Sequence, residues 1–117
     1  PEGVYSAWEQ AYGIHGGDME TSVMLALRPD LVKMDKAERF PSLQERLVQT
    51  RSQLRAHGTA AFGWIAQDLG PHGTVGDASL ATAEKGHQSI KVVTDTFIEL
   101  LADMHAFSLD TLWTPPV

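Results

Sequence analysis

Only one segment of this chain has the pattern of a β-strand, and that shortage constrains the fold more than any other feature of the sequence. The segment, Ala60 to Ala66, contains Phe62, Trp64 and Ile65 and predicts a buried strand. A lone strand leaves the backbone N–H and C=O groups along both of its edges without hydrogen-bond partners. We therefore expect this strand to pair with strands outside this sequence, or with strands that the pattern does not reveal.

The first third of the chain predicts a short helix after a glycine-rich loop. A helix is expected to begin at Asp18, because Asp18 and Glu20 place negative charge where a helix start favours it. The stretch Val23 to Leu27 is apolar on every face, which is typical of a short buried helix. Pro29 disfavours helical geometry at the residue before it, so the helix should stop or kink there. A helical turn is also expected around Ser6 to Gln10.

Two longer amphipathic helices are predicted downstream. The first runs from Ser42 to His57 and has Gly58 at its C-terminal stop. The second runs from Leu80 to Met104, would be roughly 37 Å long, and has an apolar face that we expect to be core. Gly86 lies inside the second helix, where a glycine costs about 1 kcal/mol relative to alanine. We therefore expect another element to pack closely against Gly86.

The length and composition of the chain exclude several classes of protein and of functional site. The 117 residues suffice for one compact domain, and the absence of cysteine excludes disulfides, thiolate metal ligands and a catalytic thiol. The formal charge is −6, and no basic stripe is interleaved with aromatic residues, so nucleic acid is not an expected partner. No apolar run approaches the roughly 20 residues that span a bilayer, so no membrane partner is expected. Together these features predict a cytoplasmic protein.

The stretch His15 to Ser22, with the sequence HGGDMETS, contains the strongest candidates for chemistry. The two glycines that follow His15 allow a substrate or an ion to approach the backbone. Glu20 comes five residues after His15, in the first turn of a predicted helix. An imidazole and a carboxylate are suitable ligands for Zn²⁺, Mn²⁺ or Fe²⁺, and they are also the usual general acid and base. On spacing alone, the alternative is a glutamate at a helix start beside a surface histidine.

Two longer motifs resemble the creatininase (creatinine amidohydrolase) family. The first, HGGDMETSVMLALRPDLVKMD from His15 to Asp35, resembles the family signature of His, two small residues, two variable residues, Glu-Thr-Ser, an apolar helix and Pro-Asp/Glu-Leu-Val. The second, GTVGDASLATAEKG from Gly73 to Gly86, resembles the element Gly-Asp-x-x-x-Ala-Thr-x-x-Lys-Gly that precedes the last helix of the family. The motifs stand in the family's order, and the resemblance extends from about Trp8 to Met104.

This resemblance implies an α/β fold in which a three-layer, mostly parallel sheet is flanked by helices. Residues 1–117 would then be the C-terminal portion of a single creatininase-like domain. Pro1 in place of an initiating methionine is in keeping with a fragment. The N-terminal half of the same protein is therefore an expected partner, and the family's assembly predicts a homo-oligomer, a hexamer.

The resemblance also implies an activity and roles for particular residues. Family members hydrolyse cyclic or linear amide C–N bonds of small molecules with divalent metal ions (Zn, Mn or Fe), two per site. His15 matches the family histidine that lies at the substrate and takes part in proton transfer. Glu20 matches a glutamate of the metal centre, which is a ligand or a close neighbour of one. The other ligands of the family, on Glu-x-His and Asn-Gly-His segments, do not occur in this sequence.

The substrate stays open at this point. Creatininase itself has a tryptophan and acidic residues just before the matching histidine, whereas this chain has Ala11, Tyr12 and Ile14. Trp8 is a candidate substrate-binding residue that would close over the substrate as a displaced lid. The alternative is that Trp8 only packs within its loop. Gly17 is a second candidate substrate-binding residue. Activities like those of formamide deformylase, dehydro-inosose hydrolase and the mycofactocin peptidase all fit. A non-catalytic assembly or interaction module derived from the fold is the alternative to an enzyme.

Several other polar residues are interpreted as structural. Asp77 is expected to order the loop Asp68 to Asp77, and Ser79 or Thr82 to cap the last helix. The tail, Thr111 to Val117, contains two prolines and is expected to be extended. The four remaining histidines form no ligand pattern and are expected to face solvent: His57, His72, His87 and His105.

Overall fold

The structure, a computed structural model that describes residues 3–113, is mostly helical. Its regular elements are α1 (Ala7–Tyr12), α2 (Asp18–Leu27), β1 (Arg39–Phe40), α3 (Leu43–Thr50), α4 (Ala66–Leu69), β2 (Gly76–Asp77) and α5 (Ala83–Ala106). Short 3-10 turns occur at Pro29–Leu31, Met34–Lys36, Ala78–Leu80 and Leu109–Thr111. Most of the tail predicted to be extended, residues 114–117, lies outside the described residues.

The first two helices begin and end close to the predicted positions. The Ser6 hydroxyl accepts the Glu9 N–H at 3.1 Å and so caps α1, which occupies the region of the expected helical turn. Helix α2 begins at Asp18 and ends before Pro29. Beyond its end, the Arg28 guanidinium donates two hydrogen bonds to Asp30, and these bonds lower the pKa of the Asp30 carboxyl below its ordinary value.

The prediction that Val23 to Leu27 forms a buried apolar segment was wrong. Met24 and Leu27 are exposed, and the fully buried side chains of α2 are the polar Asp18 and Ser22. The reason is that α2 packs against α5 through its polar side, where Asp18 and Ser22 find hydrogen-bond partners. Met24 and Leu27 therefore lie on the surface of the described chain, and Val23, Leu25 and Ala26 are half-buried.

Helix α5 is confirmed, and so is the expectation that Gly86 marks a close contact. The Thr82 hydroxyl accepts the Lys85 N–H at 3.3 Å and caps the helix, as one of the two predicted capping residues. A Cβ atom on Gly86 would overlap the Ser22 carbonyl and lie 2.9 Å from the Ala26 Cβ. Only a residue without a side chain allows the two helices to approach this closely.

Helix α3 is shorter than predicted. It ends at Thr50 rather than near His57, and Gly58 therefore does not form its C-terminal stop. The chain leaves the helix because it folds back: Ala56 becomes buried, and its N–H donates to the Gln44 side chain at 2.7 Å. This non-local contact competes successfully with continuation of the helix.

The prediction of a strand from Ala60 to Ala66 was wrong. Within that segment the described structure contains a single isolated bridge, between Arg55 and Ala61, and Ile65 is exposed. The Trp64 indole instead donates to the Ala56 carbonyl at 2.6 Å, and Asp68 accepts the Ile65 N–H at 2.9 Å at the start of α4. Phe62 and Trp64 thus pack against the small hydrophobic core rather than in a sheet.

The sheet in residues 3–113 consists of two short antiparallel strands, with Arg39 paired to Asp77 and Phe40 to Gly76. The three-layer, mostly parallel sheet is therefore not confirmed by the described part of the chain. A small core forms between α3, α4 and the segment before β2. Its members are Leu47, Ala56, Leu69 and Val75, with Ile14, Leu43, Phe62 and Trp64 packed around them.

The second half of α5 projects from this core. Its apolar residues Val93, Phe97, Leu101 and Met104 are each about half exposed or more, so the prediction that this face is core is wrong for the described chain. The radius of gyration is 18.4 Å, whereas a compact domain of this length has about 13 Å. Among residues 3–113, no helix is both long enough and apolar enough to cross a membrane.

We expect Gly86→Ala to destabilise the protein by about 1–3 kcal/mol, because the added methyl group would force α2 and α5 apart. At a helix position without such a contact, the same Gly→Ala change would instead stabilise the protein by up to about 1 kcal/mol. Urea denaturation measures the free energy of unfolding. Gly63→Ala is the matched control, since a Cβ there meets nothing within 4 Å and should change stability by less than about 0.5 kcal/mol. A stabilised Gly86→Ala variant would contradict the proposed contact.

Candidate functional site

The backbone of His15 is held against the core by an isolated bridge to Val75. The Val75 N–H donates to the His15 carbonyl at 2.8 Å, and the N–H groups of Ile14 and His15 donate back to the Val75 carbonyl. Val75 is fully buried. Gly16 then adopts a φ of +71°, a conformation that glycine takes at no steric cost and that turns the chain towards α2. The side chain of His15 therefore projects from a fixed backbone.

Glu20 faces His15 from the first turn of α2. Its Oε2 accepts the Gly16 N–H and lies 3.7 Å from the His15 Nδ1. That separation is too long for a direct hydrogen bond but short enough for an ion pair when the imidazole is protonated. The side chains are 53% and 56% exposed, so both remain accessible to a ligand. The structure thus brings together the two residues that the sequence proposes for chemistry.

The two side chains lie between two cavities. A cavity of about 280 Å³ on one side is lined by Glu9, Gly13 and Gly17 together with His15 and Glu20. A more open cavity of about 360 Å³ on the other side is lined by Met24, Leu31 and Lys33 together with the same pair. Such volumes are near the lower end of those that accommodate small molecules. His15 and Glu20 thus line both cavities.

A buried ion pair holds the loop that carries this site. Asp18, which lies between His15 and Glu20 in the sequence, is fully buried and accepts the Lys85 Nζ at 2.7 Å and the Ser22 hydroxyl at 3.0 Å. Lys85 Nζ also donates to the Leu80 carbonyl at 2.8 Å. These bonds connect the first turn of α2 to the first turn of α5. Sequence reasoning missed the pair, because nothing local indicates that two charges so far apart in the chain meet.

Glu9 is the second carboxylate at the site that sequence reasoning missed. Its side chain is 4% exposed and lies among Gly13, Gly17 and Gly76, where any Cβ atom would collide with it or narrow its space. Its Oε2 accepts the Asp77 N–H at 2.8 Å. The three glycines are the sequence signal that could have indicated close packing of a side chain from elsewhere in the chain. They do not identify that side chain as Glu9.

Trp8 and Gly17, the two predicted substrate-binding residues, occupy different surroundings. Gly17 lines the smaller cavity. Trp8 lies outside the linings of both cavities: its indole N–H donates to Glu45 at 3.1 Å, and the Arg39 guanidinium stacks 4.0 Å from its ring centre. Packing accounts for these contacts, and the role of Trp8 in substrate binding stays a prediction.

The side chain of Asp77 makes its hydrogen bond after the loop Asp68 to Asp77 rather than within it. The Asp77 carboxylate accepts the Ser79 hydroxyl and so orders the turn after β2. The side chains of His57, His72, His87 and His105 are exposed. Residues 3–113 contain no cluster of three or more His, Asp or Glu side chains positioned to hold a metal ion. His15 and Glu20 are two suitable ligands, whereas a catalytic zinc site takes three from the protein.

Comparison with known proteins gives two findings. The sequence profile of the family described as "Creatininase: Creatinine amidohydrolase" matches residues 1–101. The fold is similar to a crystal structure of a Bacteroides fragilis NCTC 9343 protein, provisionally named a creatinine amidohydrolase, with a TM-score of 0.63 and 25% sequence identity over 93% of this chain. The chain spans 40% of the length of that protein. No curated protein matches the chain significantly.

We expect Lys85→Met to destabilise the protein by about 3 kcal/mol, because the change leaves the buried Asp18 carboxylate without its cation. Lys91→Met is the matched control: Lys91 makes an equally short ion pair with Asp95, but both side chains are exposed, and its loss should cost less than about 0.5 kcal/mol. Chemical denaturation of the two variants measures the difference. Equal losses would mean that the Asp18–Lys85 pair has no special structural role.

Proposed function

The chain belongs to the creatininase (creatinine amidohydrolase) family, and from that premise we propose that the complete protein hydrolyses an amide C–N bond, cyclic or linear, of a small molecule. The observation that carries the proposal is the pair of His15 and Glu20, 3.7 Å apart, both exposed and both lining the same two cavities. These are also the residues that match the family signature. An acid–base group and a carboxylate thus face a space large enough for a small amide.

His15 is proposed to transfer protons in this reaction. Hydrolysis consumes one water: its oxygen forms the new bond to the carbonyl carbon, the C–N bond breaks, and the departing nitrogen takes up a proton. An imidazole is suited to that transfer because its unperturbed titration lies near neutral pH. Nδ1 of His15 faces Glu20 at 3.7 Å, which leaves Nε2 as the ring nitrogen available to the substrate.

Glu20 is proposed as a ligand of a divalent metal ion (Zn, Mn or Fe). Its Oε2 accepts the Gly16 N–H, and no hydrogen bond to Oε1 is found within residues 3–113. Oε1 is therefore available to coordinate the metal ion. Glu20 would help to hold the ion, and the chemistry such an ion would supply when bound is a lower pKa for a water molecule, towards neutrality. The described residues contribute only part of a ligand set, so the remaining ligands of an expected two-metal site would come from other polypeptide.

The rest of the same fold is proposed as the source of those ligands. The matching crystal structure is of a much longer protein, of which this chain spans 40%. The exposed apolar residues of α5, such as Phe97 and Leu101, give this chain a surface that such polypeptide would bury. Burial of apolar surface is the main favourable contribution to packing of this kind. Assembly into a hexamer stays a prediction.

The same surface favours the second candidate function, a non-catalytic assembly module. An apolar face of this extent on α5 marks an interaction surface whether or not chemistry takes place nearby. The two functions differ in what they require of His15 and Glu20, since an assembly module needs neither. Metal content and amide hydrolysis of the complete protein therefore separate them.

We expect His15→Asn in the complete protein to lower kcat by about 10²–10⁴-fold, because the proton-transfer group is lost. The control is His87→Asn on the exposed surface of α5, which should leave kcat unchanged. Turnover of a panel of small cyclic and linear amides measures the effect, and metal content is determined in parallel. A His15→Asn variant with normal kcat would remove His15 from the mechanism.

We expect Glu20→Gln to lower the metal content of the purified complete protein, because a neutral amide is a weaker ligand than a carboxylate. Elemental analysis by inductively coupled plasma mass spectrometry measures it. Glu84→Gln, an exposed change in the first turn of α5, removes the same charge away from the site and should retain the metal. Full metal content in the Glu20→Gln variant would exclude Glu20 as a ligand.

A further inference from the structure

A third cavity lies at the start of α3 and shares no lining residue with the two cavities of the candidate site. Its volume is about 400 Å³. Ser42, Leu43 and Arg46 form one wall, and the end of α4 with the residues after it forms the other. A Cβ atom on Gly70 would lie 2.8 Å from the Pro41 carbonyl oxygen, so the two walls are packed directly against each other. The cavity is therefore a fixed feature of this part of the fold.

The hydroxyl of Ser42 is buried at this cavity without a hydrogen-bond partner. Ser42 is the N-cap residue of α3, where a serine hydroxyl usually accepts a backbone N–H of the first turn. Here that bond is not made, the residue is 7% exposed, and Oγ has no partner within residues 3–113. Such burial is costly, because the hydroxyl loses its bonds to water and gains none. A ligand oxygen in the cavity would supply the missing partner after Oγ rotates between staggered positions.

The backbone at the start of α3 offers further donors. The first N–H groups of a helix have no carbonyl of the same helix to bond. The N–H groups of Leu43 and Gln44 find no acceptor among residues 3–113. Free N–H groups and the helix dipole together attract negative charge to this end of a helix. The first turn of α3 and the Ser42 hydroxyl thus favour the same kind of ligand, an anion.

Arg46 adds a positive charge to the lining. Its side chain is exposed, and no Asp or Glu oxygen of the described residues lies within 4.0 Å of its guanidinium. Asp68 is the acidic residue of the lining, and its Oδ2 accepts the Ile65 N–H at 2.9 Å. Glu45, in the first turn of α3, lies outside the lining and accepts the Trp8 indole N–H. Because Asp68 repels added negative charge, the cavity favours an anion with one charge over an anion with two.

Most of the remaining lining is apolar. Pro41, Leu43, Leu69 and Pro71 line the cavity, and Leu69 is held in the core. Ligand sites typically combine an apolar lining with a few polar groups that orient the ligand. A carboxylate is flat and matches the paired N–H groups of a guanidinium. These features together indicate a small carboxylate with an apolar body.

We propose that this cavity binds a small monocarboxylate, a ligand site separate from His15 and Glu20. The carboxylate contacts Arg46, the Ser42 hydroxyl and the first N–H groups of α3, and the apolar body packs against the proline and leucine side chains of the lining. Binding at this site forms and breaks no covalent bond. The site also does not depend on the proposed hydrolysis.

The test measures the binding of benzoate and nitrobenzene to the complete protein by isothermal titration calorimetry. The two probes have nearly the same shape, but only benzoate is charged. Benzoate should bind at least roughly tenfold more tightly, because hydrogen bonds to a charged group are stronger. Arg46→Gln should lower the affinity for benzoate by about tenfold or more, and Ser42→Ala by about two- to tenfold. Neither change should alter the affinity for nitrobenzene.

Two control variants separate this site from other sources of binding. Arg51→Gln removes an exposed arginine at the opposite end of the same helix and should retain the full affinity for benzoate. Glu20→Gln changes the proposed metal ligand and should retain it as well. Loss of benzoate binding in Glu20→Gln but not in Arg46→Gln would assign the anion to the candidate metal centre and overturn the inference.

Ser42→Ala has a second readout in the absence of ligand. Because the hydroxyl makes no hydrogen bond within residues 3–113, its removal should not lower the free energy of unfolding measured in urea. If Arg46→Gln fails to fold, as judged by circular dichroism, Ser42→Ala decides the matter. No binding of benzoate, equal binding of the two probes, or an unchanged affinity for benzoate in the deciding variant would each overturn the inference. Tighter binding of inorganic phosphate than of benzoate through Arg46 would overturn the assignment of a carboxylate.

Discussion

The contact between the first turns of α2 and α5 is the interaction on which the rest of this structure depends. At Gly86 the backbone of α5 meets the Ser22 carbonyl with no side chain between them. Beside that contact, the buried Asp18 carboxylate is neutralised by Lys85. The close approach and the ion pair require each other, because an ion pair of this kind is favourable only when its geometry is good and its remaining hydrogen bonds are made.

That contact connects the two motifs of the sequence to the candidate site. His15 and Glu20 lie on either side of Asp18, and Lys85 and Gly86 belong to the second motif. The bridge between His15 and Val75 fixes the other end of the same loop to the core. An imidazole on an exposed, glycine-rich loop would otherwise sample many positions relative to the Glu20 carboxylate on α2. Here both ends of the loop are anchored, so the two side chains face a common space.

Most predictions that succeeded concerned signals that act within a few residues, and the close contact at Gly86 was the exception. The start of α2 at Asp18, its end before Pro29 and the cap of α5 at Thr82 depend on local backbone hydrogen bonds and local charge. The predictions that failed concerned partners far away in the chain. The segment from Ala60 to Ala66 has strand-forming residues but no neighbouring strand within the described chain, and α3 ends early because Ala56 is buried under it.

The sequence by itself determined helices α1, α2 and α5, the family motifs and the candidacy of His15 and Glu20, because those features depend on the spacing of residues close together in the chain. Only the tertiary structure decided that Asp18 pairs with Lys85 and that Glu9 is buried among three glycines at the same cavity. The tertiary structure also decided that the apolar residues in the second half of α5 are exposed in the described chain. The physical reason is that burial and charge compensation depend on what the fold brings together across long stretches of chain, and no local pattern specifies those neighbours.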